Sequence, residues 1–417
     1  MSDRSLRDAC LRRFLEYVTF DTQSEENSTT YPSTAKQLEL LKHLLKELKD
    51  IGLKDAAMDE HGYVFATIPA TTKKSGVPVV GFIAHVDTSP EMPGANVKPI
   101  VHRDYQGQDL VLPDDPKPVL KFKDNPWLAD QIGCDVVTAS GATLLGADNK
   151  AGVAEIVAAA EYLMKHPEIP HGNIRVGFTP DEEVGNGTKF FDVKRFGAVA
   201  AYTMDGETRG EIEMETWSAD AITIGFQGNN THPGYAKGKM INAIKVAADF
   251  ISRLPKNRLS PETTDGYDGF VHPYVVNASV EKTLVKLLLR DFKTARLREQ
   301  EALLTKLANE TVAAWPGATV EFKVEESYRN MKEVLDNHPQ VVENAREAIR
   351  RTGLALREHP IRGGTDGSRL CFMGLPTPNI FAGEHNFHSR LEWVSAQDME
   401  LAARVIVELA KVWEERA

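Results

Sequence analysis

The chain has 417 residues, of which 42% are hydrophobic and 26% charged, and 60 Asp plus Glu outweigh 49 Lys plus Arg for a net charge of -11. That length exceeds one ordinary hydrophobic core and points to two domains, and the balance of apolar and charged residues excludes a disordered or fibrous chain. The acidic excess argues against a nucleic-acid or anionic-membrane partner.

Met1 to Tyr17 is charged and lacks a long apolar core, so it does not read as a signal peptide. No stretch is apolar for long enough to span a membrane. Leu6, Cys10, Phe14 and Val18 recur at helical spacing, as do Leu38, Leu41, Leu45 and Leu48. The apolar run from Val77 to Ala84 predicts a buried strand, and the Ala-rich stretch from Asn149 to His166 a helix. Ile174 to Thr179 and Ala198 to Met204 predict two more buried strands. Buried strands alternating with helices indicate an α/β layer with a mostly parallel sheet flanked by helices.

Near Glu211 the pattern changes. Ala221 to Phe226 and Val285 to Arg290 read as strands, and Val320, Phe322 and Val324 alternate with charged residues as in a half-solvated strand. Helical patterns at Met240 to Leu254 and Ala295 to Ala313 complete a compact α+β unit. From about Tyr328 the chain returns to a helix, then strands at Leu370 to Met373 and Asn379 to Ala382, and a last helix from Ala396 to about Trp413. The expected organisation is a catalytic domain in two parts, 1–212 and 328–417, interrupted by a smaller inserted domain at 213–327. Cys10, Cys134 and Cys371 are few, odd in number and far apart. They indicate neither a disulfide framework nor a CxxC zinc site, and they suit a reducing, cytoplasmic compartment.

Five segments place His, Asp or Glu directly after an apolar run, where open α/β sheets bind ligands. In Ala84-His85-Val86-Asp87-Thr88, an extended backbone puts His85 and Asp87 on one side, so the carboxylate can accept the second ring N–H of a metal-bound imidazole. Asp148 stands between a strand-like run and a helix start, a position that also suits an N-cap. Asp181, Glu182 and Glu183 repel one another unless a positive charge lies among them. Asp205 precedes Gly206, as a turn Asp does. The segment from Asn379 to His388 offers two imidazoles, His385 and His388. Carboxylates and imidazoles without Cys suit a catalytic site for zinc, manganese or cobalt, and so many carboxylates can hold two cations roughly 3.5–4 Å apart.

The motifs His85-Val-Asp-Thr88, Leu145-Gly-Ala-Asp-Asn-Lys-Ala-Gly152, Thr179-Pro-Asp-Glu-Glu-Val-Gly185, Tyr202-Thr-Met-Asp-Gly206, Thr231-His-Pro-Gly234 and Ile361-Arg-Gly-Gly-Thr-Asp-Gly367 occur together. In that combination the chain resembles the zinc aminoacylase and carboxypeptidase-type metallopeptidase family over nearly its whole length, most closely the tripeptide aminopeptidase branch. The resemblance implies a two-zinc enzyme, with Mn2+ or Co2+ as possible substitutes, that releases the N-terminal residue of tripeptides with metal-activated water. His85 and Asp205 would hold one metal, Glu183 and His388 the other, and Asp148 would bridge them. Glu182 would be the general base and Asp87 would orient His85. From the residues alone, Glu182 and Glu183 are interchangeable as base and ligand.

The resemblance further implies that His232 and Arg290 of the inserted domain and Arg362 of the catalytic domain handle the short peptide substrate. His232 would reach the active site of a second copy, making a homodimer through the inserted lid domain. The chain departs from the branch at Asn149, where a second Asp is common, at Gly383-Glu384-His385, where small residues are expected, and at Ser389 to Glu392. His385 therefore competes with His388, which the resemblance favours. A dipeptidase, carboxypeptidase or N-acyl amino-acid amidohydrolase would share the metal site. A catalytically silent scaffold would have lost a ligand or the base, and here all are present.

Overall fold

The computed structural model describes residues 4–117 and 119–417. The chain divides into two compact units. The first comprises the chain up to Met214 together with Met331–Pro360 and Thr365–Ala417, and the second comprises Glu215–Asn330 and Ile361–Gly364.

The first unit is built on an eight-stranded sheet in the order Ala57–Met58, Val64–Ile68, Ile174–Thr179, Val80–His85, Ala200–Gly206, Asn379–Phe381, Glu211–Glu213 and Arg357–Glu358. The four central strands run parallel. Val64–Ile68 on one side and Glu211–Glu213 on the other pair antiparallel to them, so the sheet is mixed at its edges. The central strands are apolar without alternation because both faces are covered. Helices Arg4–Tyr17, Ala147–Lys165 and Ala396–Glu415 pack against one another. The Ala-rich middle helix also lies on Val80–His85 and Ala200–Gly206. A Cβ at Gly152 would stand 2.0 Å from the Met204 carbonyl oxygen, so only glycine permits that approach. A small antiparallel sheet, Glu384–His385, Trp393–Ser395, Val136–Thr138 and Ile100–His102, has no counterpart in the sequence reading, because its strands are two or three residues long.

The second unit is a four-stranded antiparallel sheet in the order Phe270–Ala278, Lys282–Asp291, Ser218–Gln227 and Thr319–Tyr328, with helices Ala243–Arg253 and Thr294–Ala313 packed on it. Lys282–Asp291 alternates buried and part-buried residues. Its inward Val285, Leu287 and Leu289 join Ile222, Ile224, Phe226, Val246 and Phe250 in one core.

Three expectations need correction. Leu370 to Met373 is not a strand: Leu370 and Cys371 belong to helix Asp366–Phe372, started by a reciprocal capping box between Thr365 and Ser368. Four apolar residues fit either period, and the cap decided between them. The second unit begins at Glu215 and ends at Asn330, against the expected 213 and 327. Finally, Ile361–Gly364, expected in the catalytic domain, belongs to the second unit. The Ile361 N–H donates to the Glu215 carbonyl at 2.8 Å, and the Arg362 guanidinium lies over the Trp217 ring.

Candidate metal centre

His85 is the last residue of the central strand Val80–His85 and pairs in register with Thr179, the last residue of its parallel neighbour. Asp205 sits near the end of the strand on the other side, Ala200–Gly206. The three parallel strands therefore deliver His85, Asp205 and the Asp181–Glu183 turn to one end of the sheet. Asp148 arrives at the start of helix Ala147–Lys165, and His388 from the loop between Glu384–His385 and Trp393–Ser395.

These residues form two triads that share one carboxylate. Asp148 Oδ1 lies 2.9 Å from His85 Nε2, and Asp205 Oδ1 lies 3.3 Å from the same nitrogen. Asp148 Oδ2 lies 3.2 Å from His388 Nε2, which meets Glu183 Oε2 at 2.8 Å. The two oxygens of Asp148 thus face different triads. Asp148 does not cap its helix; the Asn149 side chain accepts from the Gly152 N–H at 3.2 Å and supplies that bond.

The residues behind the triads fix their orientation. Asp87 accepts the Glu182 N–H at 2.9 Å through Oδ1 and the Glu183 N–H at 3.2 Å through Oδ2. Its Oδ1 also lies 3.3 Å from His85 Nδ1. One carboxylate therefore ties the His85 ring to the Glu182–Glu183 turn. Asp181 adopts φ 62°, a left-handed conformation rare for a residue with a Cβ. It is held there by Ser33, whose N–H and hydroxyl donate to its carboxylate, and by Gln37. Asp181 thus shapes the turn that points Glu182 and Glu183 into the site.

The charges in the cluster are strongly coupled. Burial alone would depress His85, but Asp205, Asp148 and Asp87 raise it well above the ordinary imidazole value. Burial likewise opposes protonation of His388, yet Asp148 and Glu183 raise it to about 11. Asp148 is held low against burial by His388 and His85. Glu183 is pushed up to about 8 by burial and Asp148, with His388 opposing. Burial raises Glu182 well above the carboxylate range; His85 opposes, while Asp366, Asp205 and Glu183 add to the rise. Without a cation, the cluster stays neutral only by retaining protons. Glu183 Oε1 and Asp205 Oδ1 are buried and accept no hydrogen bond among the described residues. Carboxylate and imidazole donors within 4.8 Å of one another, with buried acceptors left over, fit divalent cations.

His385 joins neither triad. It stacks on Trp393 with ring centroids 4.1 Å apart, and burial, with Arg209 adding to it, pushes it down to about 3, so the imidazole stays neutral. The remaining sequence candidates lie in the second unit. His232 is exposed on a turn, its Nδ1 accepting the Gly234 N–H at 3.1 Å. Arg290 donates to the Leu289 carbonyl at 2.9 Å and lies over the Tyr328 ring. Arg362 donates to the Gly266 carbonyl at 2.5 Å.

Two carboxylates escaped the sequence reading. Glu384 is buried in the field of Asp148 and Asp205, and its Oε2 has no hydrogen-bond partner among the described residues. Glu392, 1% exposed, accepts three backbone N–H groups of the loop that carries Asp148. Both fall where the chain departs from its expected pattern, and that departure was the one signal the sequence offered.

Residues 141–412 match the family model for peptidase family M20/M25/M40. The chain is 49% identical over 406 residues to Peptidase T of Clostridium botulinum (strain 657 / Type Ba4), covering 97% of this chain and 99% of that protein. Its fold is similar to that of aminopeptidase PepT from Bacillus cereus ATCC 10987, with a TM-score of 0.75, 24% identity and 98% of each chain covered. It is similar as well to a tripeptidase from Staphylococcus aureus subsp. aureus mu50, with a TM-score of 0.76, 24% identity and 100% of each chain covered. Two His–carboxylate triads sharing one Asp at the strand ends, together with the match over 141–412, establish that this chain belongs to peptidase family M20/M25/M40.

Proposed function

We propose that this chain is a two-metal aminopeptidase that releases the N-terminal residue of tripeptides. The observation that carries the reading is the pair of triads sharing Asp148, with Glu182 beside them. In this reading His85 and Asp205 hold one cation, Glu183 and His388 the other, and Asp148 bridges. Zinc is the proposed metal, as the family resemblance implies; the imidazole and carboxylate donors without Cys suit it as a catalytic ion and suit Mn2+ or Co2+ as well. Two cations held there would supply Lewis acidity and lower the pKa of the attacking water toward about 7.

Glu182 is the proposed general base. Of the two carboxylates of the turn outside both triads, Asp181 is engaged by Ser33 and Gln37, which leaves Glu182, and burial favours its holding a proton. It takes the proton of the water as the scissile carbonyl is attacked and returns it to the leaving amine. Asp87 holds the Glu182 N–H and faces the His85 ring, so base and ligand stay in register.

His232, Arg290 and Arg362 are the proposed substrate-handling residues. A guanidinium fork suits the C-terminal carboxylate of a short peptide, and an anchor at fixed distance would limit substrate length. The exposed turn of His232 supports its reaching a second copy in a homodimer formed through the second unit. A cytoplasmic location is part of the proposal; among the described residues, no helix is long and apolar enough to cross a membrane.

The test is hydrolysis of Met-Gly-Gly, Gly-Gly, N-acetyl-Met-Gly-Gly and a tetrapeptide, with zinc and after chelation. The expected result is release of Met from the free tripeptide alone, lost on chelation. Cleavage of the acetylated peptide or the dipeptide instead would move the enzyme to an amidohydrolase or dipeptidase reading. No cleavage with metal bound would overturn the catalytic reading.

A further inference from the structure

We propose that Glu392 is a positioning residue that sets the shared carboxylate of Asp148, and thereby controls binding of both cations. The proposal rests on the two-metal reading of the site.

Among the described residues, the carboxylate of Glu392 hydrogen-bonds to one short loop. Oε2 accepts the Leu145 N–H at 2.6 Å and the Gly146 N–H at 2.8 Å, and Oε1 accepts the Asp148 N–H at 3.0 Å. Converging backbone N–H groups make an anion cradle, and here the anion is part of the protein. Gly146, at φ 81°, makes the left-handed turn that bends the loop around it.

The loop needs such an anchor because the helix does not supply one. Asp148 at φ -76°, ψ 103° and Asn149 at φ -124°, ψ 36° are not helical, so Asp148 falls outside the regular hydrogen-bonding ladder that begins beyond it. Its position is therefore set from outside the helix. Glu392 is itself well fixed. It directly precedes Trp393, which is 1% exposed and pairs with Thr138 on one side and His385 on the other.

The same segment carries His388, four residues before Glu392. One stretch of chain thus supplies one ligand directly and holds the backbone of another. Asp148 Oδ2 and His388 Nε2 stand 3.2 Å apart, and Glu392 ties together the two segments that set this spacing. Because Asp148 also faces His85, at 2.9 Å through its other oxygen, a shift of the loop disturbs both triads together. Glu392 acts through Asp148; nothing in the geometry makes it a ligand.

The experiment is calorimetric titration of metal-free protein with Zn2+, on wild type, Glu392→Gln, Glu392→Asp and the control Glu155→Gln, a buried carboxylate in neither triad. Glutamine turns an N–H2 toward N–H groups of the loop. Aspartate keeps the charge one methylene short. Circular dichroism and thermal unfolding of each metal-free protein report folding separately. The expected result is two zinc ions bound by wild type and E155Q, with both steps weakened about 10- to 100-fold in E392Q and less in E392D. If E392Q does not fold, E392D decides. Wild-type zinc affinities in the folded Glu392 variants, even with a lowered melting temperature, would overturn the proposal and leave Glu392 a structural carboxylate. A wild-type protein that does not bind two zinc ions would overturn the two-metal reading itself.

Discussion

Asp87→Asn is the perturbation with the clearest structural magnitude. The Asp87 carboxylate accepts the Glu182 N–H at 2.9 Å and the Glu183 N–H at 3.2 Å, and Oδ1 faces His85 Nδ1 at 3.3 Å. Asparagine retains one acceptor oxygen and presents an N–H2 to the other amide, so at least one charge-assisted bond goes, and the charge facing the imidazole with it. Hydrogen bonds to charged groups contribute about 1.5–3 kcal/mol each, so two such losses come to roughly 3–6 kcal/mol. If that loss falls on the arrangement of base and ligand, kcat/KM drops about 10²- to 10⁴-fold, at 1.36 kcal/mol per decade. The assay is kcat/KM for Met-Gly-Gly alongside zinc content and the melting temperature. A D87N protein within a few-fold of wild type on Met-Gly-Gly, with both zinc ions bound, would refute the role given to Asp87.

Glu182→Gln should abolish turnover while both zinc ions remain bound, measured by activity and elemental analysis on the same sample; loss of both metals would make Glu182 a ligand instead. His388→Ala should lose one zinc ion and His385→Phe neither, because His385 stacks on Trp393 away from both triads; the reverse pattern would exchange the two imidazoles. Glu155 is fully buried with neither oxygen hydrogen-bonded among the described residues, and burial, then Asp398, raise it well above the carboxylate range. A raised carboxylate pKa gives stability that is complete below the unfolded value and is lost as pH rises toward the folded one. Removing that proton in E155Q should flatten the pH dependence by about 1.4 kcal/mol per pH unit while the folded carboxyl stays protonated. As pH rises from 6, the melting temperature of E155Q should gain on that of wild type by about 1–2 °C per pH unit for as long as the folded carboxyl keeps its proton; parallel stability curves would show that Glu155 is ionised in the folded protein.

Much of the candidate site was legible because most of its residues follow an apolar run. The strands ending at Ala84, Thr179 and Met204 could be read from hydrophobicity, and parallel strands put their carboxyl ends together, so His85, Glu182, Glu183 and Asp205 were expected at one place. Other features were not legible. Asp148 looked like a helix cap until the structure gave that bond to Asn149. Glu392 carries no local signal beyond the departure at Ser389 to Glu392, because its partners are backbone groups about 245 residues away in sequence. Arg362 reads as part of the catalytic domain because its contacts, Gly266 and Trp217, are 96 and 145 residues back along the chain.

By itself the sequence determined the α/β class, the inserted α+β unit and the residue types of a metal site, since periodicity and composition are local properties of the chain. The tertiary structure decided which carboxylate stands between two imidazoles, which of His385 and His388 stands with Asp148, and which segments hold them. Those choices depend on distances of 3 Å between residues hundreds of positions apart, and such distances exist only once the sheet has brought its strand ends together.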